Sequence, residues 1–226
     1  LVRVRLMIQF HQSYSYEDFI QGYRPTDNGT FELRNGVFYE FIQKAHGDPK
    51  EKHFFIIDEI NRANLSKVFG ELLMLIECDK RGKEFSIPLT YSGDSDHAFC
   101  VPDNVYLIGT MNTADRSITI VDYALRRRFL FCSLRPEFNK KFIDYLVGKN
   151  VDKSIASQII SKIMELNKVI ASDSKNLGPG FEIGHSYFCP LEDVVDTKEW
   201  YNRIIDLEIE PLLAEYWFDN PDKAEA

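Results

Sequence analysis

The chain has 226 residues, of which 44% are hydrophobic, and its formal net charge is -8 at pH 7. This length suffices for an α/β core with a smaller helical subdomain, and no apolar run approaches the ~18 residues that a membrane helix needs. The longest basic run is Arg126-Arg127-Arg128, so the composition argues against a stand-alone nucleic-acid-binding face, which depends on neutralising phosphates.

The first forty residues predict a strand, a helix and a hairpin. Val2, Val4, Leu6 and Ile8 indicate a strand at about 2–10, and a helix follows near 16–22. Farther on, Asn35-Gly36 lies between short apolar alternations, which is a strong hairpin signal. We therefore expect a β-hairpin insert near 29–40, with a plain surface hairpin as the alternative to a functional one.

The next strand ends in two carboxylates. Residues 54–57 are Phe-Phe-Ile-Ile, as expected of a strand covered on both faces, and Asp58-Glu59 follow directly. A paired acid at a buried strand end is costly unless it meets a metal or a donor. The alternative is an ordinary core strand ending in a solvated acidic turn. Apolar residues repeating from Leu65 to Ile76 then predict one amphipathic helix, with Asn64 as its N-cap.

A second hairpin and two more apolar strands are predicted farther along the chain. Residues 87–91 and 98–101 indicate a second hairpin, and residues 104–110 form a buried strand that runs into Met-Asn-Thr-Ala-Asp-Arg-Ser at 111–117. Another apolar strand is predicted at 129–134; it directly follows the three arginines and contains Cys132. Acids, an amide and arginines in this order are the groups that phosphoryl transfer uses for metal binding, water orientation and charge neutralisation.

The remainder of the chain is predicted to be helical. Apolar positions from Ile155 to Leu166 mark one long helix, and those from Trp200 to Ile209 mark another, which Pro211 should kink or break. We place the boundary near Pro136, with an α/β core at 1–136 and a small helical subdomain at 137–226.

These segments resemble AAA+ ATPases and, more narrowly, the McrB motor subunits of McrBC-type restriction systems, which cut DNA carrying modified cytosine. The likeness rests on Asp58-Glu59-Ile60-Asn61-Arg62-Ala63-Asn64, the Met-Asn-x-x-Asp-Arg signature at 111–116, residues 124–129, Gly184-His185-Ser186-Tyr187-Phe188, and residues 11–25. It implies an AAA+ three-layer core, with a parallel sheet flanked by helices, and a small all-helical lid. The hairpin resembles an insert that faces the ring's pore or a partner in related AAA+ proteins.

The resemblance implies roles for the candidate residues. Asp58 is expected to hold Mg²⁺ and Glu59 to orient or polarise the attacking water, while Asn112 fits the first sensor, an amide that reaches water and γ-phosphate. Asp115 and Arg116 complete the signature; their spacing leaves open whether they act on the nucleotide, orient Asn112 or contact a neighbouring subunit.

Basic residues complete the predicted site. Of Arg126, Arg127 and Arg128, the last two are expected to act as fingers on the γ-phosphate of the next subunit, which requires a ring, hexameric by resemblance. The alternative is a solvated basic turn. His185 is expected to reach the nucleotide from the lid, with a purely structural role as its alternative.

One expected part is missing from the sequence. No Gly-x-x-x-x-Gly-Lys-Ser/Thr phosphate loop occurs in the 226 residues, and that loop cradles the β- and γ-phosphates. In the family it lies just upstream of a segment such as 2–10, and its strand lies between the strands at 104–110 and 129–134. We therefore expect the chain to be the carboxyl-terminal piece of a longer protein, poorly stable and inactive by itself.

The functional prediction is a GTP-hydrolysing AAA+ motor subunit of a modification-dependent (5-methylcytosine-type) DNA restriction endonuclease. It would act with an McrC-like nuclease subunit and meet DNA through that complex and through an amino-terminal domain. GTP rests on resemblance alone, and ATP is the alternative substrate. Two other functions stay open: a MoxR-like ATPase chaperone or metal-insertion motor, and a non-catalytic interaction module. Four widely spaced cysteines without a Cys-x-x-Cys pair predict reduced thiols in a cytoplasmic protein without a membrane anchor.

Overall fold

The computed structural model describes residues 4–91, 98–112, 114, 126–220 and 223. The chain divides into two compact units, Leu1–Phe131 and Cys132–Ala226. The first contains strands and helices and the described part of the second is helical, as the predicted α/β class requires. The boundary near Pro136 stays a prediction.

The first unit is built on a parallel sheet. Its strands β1 (Val4–Gln9), β4 (His53–Asp58) and β5 (Val105–Gly109) are ordered β1-β4-β5. Ile56 of β4 pairs with Met7 on one side and with Ile108 on the other. Since all three strands run the same way, their carboxyl ends meet at one edge, which is where ligands bind in open α/β sheets.

One face of this sheet carries the core. Phe55 and Ile57 are fully buried there, and they belong to an aromatic-rich cluster with residues of three short helices. The Phe38 ring stacks on Phe19 at 4.8 Å and meets Phe55 edge-on at 5.1 Å. The helices are α1 (Tyr16–Phe19), α2 (Val37–Gly47) and α3 (Leu65–Phe69). Ser15 caps α1 through a capping box with Asp18, which fixes where this helix begins.

The hairpin forms, but its predicted turn is wrong. Its strands are β2 (Gln21–Pro25) and β3 (Phe31–Asn35), joined by a turn at 26–30 in which Gly29 adopts φ +76°. Gly36 is instead the N-cap of α2, where a Cβ would lie 2.4 Å from the backbone carbon of Phe19. The Asn35-Gly36 signal therefore marks close packing rather than a turn, and the helix predicted to extend to residue 22 ends before β2 begins.

Three other predicted elements are corrected by the structure. The helix at 65–76 is divided into α3 and α4 (Leu72–Leu75), because Gly70 adopts φ +52° and ψ -129°. The hairpin at 87–91 and 98–101 is reduced to a single bridge between Ile87 and Phe99; its predicted turn at 93–96 lies outside the described residues. Residues 129–134 form no strand, and Cys132 is exposed rather than part of a core strand.

The second unit has a helical core of its own. Its helices are α5 (Lys140–Gly148), α6 (Lys153–Ser172), α7 (Thr197–Ile204) and α8 (Glu210–Tyr216), and short 3₁₀ turns lie at Pro179–Phe181 and His185–Phe188. The helical backbone continues past Pro211, but not as one α-helix: α7 is followed by a π-helical turn at Ile205–Ile209, and α8 begins at Glu210 with Pro211 in its first turn. Asp173 accepts hydrogen bonds from Trp217 Nε1 and Lys223 Nζ, which ties residues near the carboxyl terminus to the end of α6.

Candidate active site at the carboxyl edge of the sheet

The two acids stand where β4 ends. His53, Phe55 and Ile57 face the core and are buried, so the strand's alternation turns Asp58 toward the opposite face, where it is half-buried. The sequence thus places a carboxylate at the sheet edge for a simple reason: the buried side chains fix the strand's register, and the first residue past them is acidic.

Thr110 holds this turn through its backbone and its side chain. Its N–H donates to the Ile57 carbonyl at 2.9 Å, and its carbonyl accepts the Ile60 N–H at 2.9 Å. Its hydroxyl donates to Asp58 Oδ1 at 2.5 Å. On the β5 side, residues 58 and 59 therefore lie between two backbone hydrogen bonds to Thr110, while Asp58 still pairs with Gln9 of β1 on the other side. One side-chain oxygen of Asp58 has a fixed partner.

Glu59 adopts an unusual backbone conformation. Its φ of 52° and ψ of 44° lie in the left-handed region, which costs a residue with a Cβ on the order of 1–3 kcal/mol and is concentrated at functional sites. Its side chain is half-buried, and Oε2 lies 3.3 Å from Arg62 Nε, one 3₁₀ turn further along. Within the described chain this ion pair gives Oε2 a charge partner but no hydrogen bond.

Asn112 follows β5 at the same edge of the sheet. It is exposed, and its Oδ1 accepts the Ala114 N–H at 3.0 Å. The side-chain amide nitrogen is the group that this contact leaves for another partner. Asp115 and Arg116 lie outside the described residues, so their predicted roles stay predictions.

The three arginines have different surroundings. Arg126 and Arg127 are exposed, whereas the Arg128 side chain is only 8% exposed. Arg128 Nε donates to the Leu73 carbonyl at 2.7 Å, and Nη2 lies 2.8 Å from Glu77 Oε1. A hydrogen bond from Lys80, followed by the charge of Arg128, holds the pKa of Glu77 below its usual value. Within this chain, Arg128 therefore takes part in packing the segment after α4.

His185 lies in the second unit and is half-buried there. Its Nδ1 accepts the backbone N–H of Glu137 at 3.0 Å, and its ring meets those of Phe138 and Phe142 at 6.2 and 5.7 Å between centroids. These contacts anchor the start of the helical unit. The predicted contact of His185 with a nucleotide stays a prediction.

The donor set at Asp58 fits a magnesium ion that arrives with a nucleotide. Across the described ranges, no group of three or more His, Cys, Asp or Glu side chains could hold a metal. Mg²⁺ usually binds through one or two carboxylates, with waters and substrate phosphates as its other ligands. Thr110 binds one carboxylate oxygen of Asp58, Oδ1, and this contact does not involve the other oxygen. Asn61 Oδ1, buried and without a hydrogen-bond partner in the described structure, adds an acceptor nearby in sequence.

Two family models match parts of the chain. The model of the AAA domain, dynein-related subfamily, matches residues 1–129, which is more than half of the chain. The chain therefore belongs to the AAA domain family. The model of the McrB alpha-helical lid domain matches residues 158–225. Together the two matches confirm the predicted fold class, an AAA core with a small helical lid.

Individual relatives narrow the family. The chain is 55% identical over 220 residues to the EcoKMcrB subunit of the type IV methyl-directed restriction enzyme of Escherichia coli K12, covering 96% of this chain and 48% of that protein. It is 30% identical over 142 residues to the YdiS component of the type II restriction enzyme BsuMI of Bacillus subtilis, covering 58% of this chain and 40% of the relative. The predicted resemblance to McrB subunits is confirmed, and the chain spans about half the length of these relatives.

Among solved structures, one from Cytophaga hutchinsonii is similar to this chain, with a TM-score of 0.35 and 19% sequence identity. The match covers 75% of this chain and 50% of the other. That likeness is too distant to bear on the site. Within the described residues, no helix is both long and apolar enough to cross a bilayer.

Sequence reasoning missed two residues, Thr110 at this edge and Glu77 beside Arg128. Thr110 was treated only as the last residue of a strand, although a hydroxyl beside an acidic strand end could have indicated the contact. Glu77, the partner of Arg128, lies 51 positions away in the sequence, and no local pattern connects the two.

Proposed function

We propose that this chain belongs to the motor subunit of a modification-dependent DNA restriction endonuclease, with 5-methylcytosine as the type of mark and GTP as the fuel. The observation that carries the proposal is the 55% identity over 220 residues to a methyl-directed restriction subunit. The carboxylate pair at the sheet edge supports it, because it supplies the acid groups that nucleotide hydrolysis needs. The AAA family as a class uses nucleoside triphosphates with Mg²⁺.

Each acid has a distinct part in the proposed chemistry. Asp58 would hold the hydrated Mg²⁺, which offsets charge on the phosphates when it is bound. Glu59 would orient and polarise the attacking water, and the Asn112 amide would steady that water or the γ-phosphate. Asp115 and Arg116 would complete this loop, and His185 would approach the nucleotide from the lid.

The proposed site is completed by a second copy of the protein. Arg127 and Arg128 would reach the γ-phosphate bound to the neighbouring subunit, since a planar guanidinium matches phosphate oxygens bidentately. Exposure of Arg127 supports its assignment, whereas the contacts of Arg128 with Glu77 and Leu73 would have to exchange on assembly. Fingers acting between subunits require a ring, and by resemblance to McrB subunits this ring would be hexameric and would act on DNA with an McrC-like nuclease subunit.

Glu59→Gln tests the proposed chemistry in a protein that includes a phosphate loop. Nucleotide binding should persist while hydrolysis falls about 10²–10⁴-fold, the usual contribution of a positioned acid–base group. Hydrolysis of GTP and of ATP is measured separately, with nucleotide binding followed by fluorescence. Glu84→Gln, at an exposed acid in a 3₁₀ turn away from the site, is the matched control.

Two results would contradict the proposal. Undiminished hydrolysis in the Glu59→Gln protein would remove Glu59 from its role. Hydrolysis of ATP in preference to GTP by the unmodified protein would overturn the assignment of GTP, and the motor would then be an ATPase.

A further inference from the structure

We propose that Thr110 is a positioning residue for Asp58: its hydroxyl holds one carboxylate oxygen so that the other is presented to the metal ion. This inference rests on the proposed function, since it concerns how the same site binds Mg²⁺. Thr110 lies outside the acid pair, the Met-Asn-x-x-Asp-Arg segment and the arginines, so none of the predicted roles includes it.

Backbone hydrogen bonds fix the position of Thr110 independently of its side chain. The β4–β5 register ends at the pair Ile57 and Gly109, and the next residue, Thr110, hydrogen-bonds to Ile57 and to Ile60 at 2.9 Å each. With both of its backbone groups hydrogen-bonded, the Thr110 Cα is held beside Asp58 and Glu59. A β-branched side chain also has few χ1 rotamers, so the hydroxyl direction is narrowly defined.

The hydroxyl makes one directed contact with the acid pair. It donates to Asp58 Oδ1 at 2.5 Å, a hydrogen bond strengthened by the negative charge of its acceptor. This contact fixes rotation of the carboxylate about its terminal torsion, which is otherwise broad. When a site offers few protein ligands, the orientation of each matters, and hydrogen-bonded partners of ligating carboxylates typically contribute 10–100-fold to metal affinity or activity.

The residue before Thr110 explains how the strand comes so close. A Cβ on Gly109 would lie 2.7 Å from Ile60 Cδ1, so glycine lets the Ile60 side chain pack directly on β5. Ile60 is buried, and its N–H is one of the two groups that Thr110 holds. Gly109 and Thr110 together therefore hold the turn in which Asp58 and Glu59 stand.

The test compares Thr110→Val, which removes the hydroxyl at nearly constant shape, with Thr110→Ser, which keeps it. Both are made in a protein that includes a phosphate loop. Binding of Mn²⁺ with a non-hydrolysable GTP analogue is followed by electron paramagnetic resonance, and hydrolysis is titrated with Mg²⁺. Thr26→Val is the matched control, because in the described structure the Thr26 hydroxyl bonds to Thr30 within the hairpin turn.

We expect Thr110→Val to need about 10–100-fold more metal ion in both measurements, and Thr110→Ser to stay within about threefold of the unmodified protein. Nucleotide affinity without metal should be unchanged. In an Asp58→Asn background, Thr110→Val should have no further effect, because the hydroxyl acts through that carboxylate.

The inference fails if Thr110→Val binds metal normally, if serine does not restore binding, or if the two substitutions act independently of Asp58. Should the valine variant lose its circular dichroism, Thr110→Ala answers the same question, and unfolding of both would mean a purely structural role. An unmodified protein that binds Mn²⁺ with the analogue but does not hydrolyse GTP would contradict the proposed function and leave the Thr110 comparison intact.

Discussion

Arg126, Arg127 and Arg128 are the same type of residue, but they differ in burial and in contacts. Arg127 is exposed and contributes to the charge around Glu77, whose pKa is lowered first by Lys80 and then by Arg128. Arg128 is largely buried and bonded to a carbonyl and a carboxylate. A guanidinium with free donors can engage a phosphate at once, whereas one that is already paired must give up those contacts first.

Alanine substitutions of Arg127 and Arg128 should therefore affect stability and activity differently. Arg128→Ala leaves the Leu73 carbonyl and the Glu77 carboxylate without their partner and should lower the free energy of unfolding by about 1–3 kcal/mol. Arg127→Ala should change it by less than about 0.5 kcal/mol and lower hydrolysis in the assembled protein. Denaturant titration and turnover are measured on both variants; equal loss of stability in the two would contradict this reading of their environments.

Secondary-structure elements follow the apolar pattern except where a glycine intervenes. The apolar positions of 65–76 satisfy one helix, and of the predicted face Leu65, Val68, Phe69, Leu72 and Ile76 are buried, while Leu73 is half-buried. Gly70 nevertheless divides the segment, and the turn brings its Cα close to the Tyr16 ring. Tyr16 in turn donates a hydrogen bond to Glu71 at 2.7 Å, which raises the pKa of Tyr16, although burial is the larger cause. The break is thus held by tertiary contacts.

Gly70→Ala should destabilise the first unit by roughly 1–3 kcal/mol, because alanine rarely adopts φ +52° with ψ -129°. A Cβ there would also lie 3.1 Å from the Tyr16 ring. Gly47→Ala is the control, since Gly47 ends α2 with open space around it and should be neutral or slightly stabilising. Thermal unfolding by circular dichroism compares the two, and equal midpoints would refute the assigned strain.

At the scale of the whole molecule, the sheet's second face is only partly covered in the described structure. Met7, Ile56 and Ile108 form one row across the three strands, and Met7 and Ile108 are 62% and 44% exposed. Beside them, Phe54 stacks on Tyr106 at 5.0 Å. An apolar sheet face of this kind, next to an edge strand, favours association with other chains.

The chain prepared by itself should therefore self-associate at micromolar concentrations. Ile108→Lys puts a charge at the β5 end of the apolar row and should raise the concentration at which association begins. Leu191→Lys is the control, because Leu191 is fully exposed in the other unit and belongs to no such row. Sedimentation velocity measures the association. If the unsubstituted chain remains monomeric, the apolar sheet face does not drive self-association.

Local patterns foretold much of this protein. The apolar run 54–57 predicted β4, and the end of that run placed Asp58 and Glu59, because both depend only on neighbouring residues. The run predicted a strand covered on both faces, whereas burial alternates along β4 in the described structure. The Met-Asn-x-x-Asp-Arg segment and the residues around 58–64 were enough to identify the family. The helical character of the second unit also follows from its apolar repeat, since a period of 3.6 residues is visible in any one helix.

The tertiary structure decided the remainder, because it depends on contacts between residues far apart in sequence. The hydroxyl of Thr110 meets Asp58 across 52 positions, and Arg128 reaches Leu73 across 55. Gly36 lies outside the hairpin turn because the backbone of Phe19 and Ile20 packs against it. Gly70 interrupts a helix that its apolar neighbours favour. The sequence by itself predicted which residues would carry the proposed chemistry, and packing over long separations determined which atoms hold Asp58 and Arg128 in place.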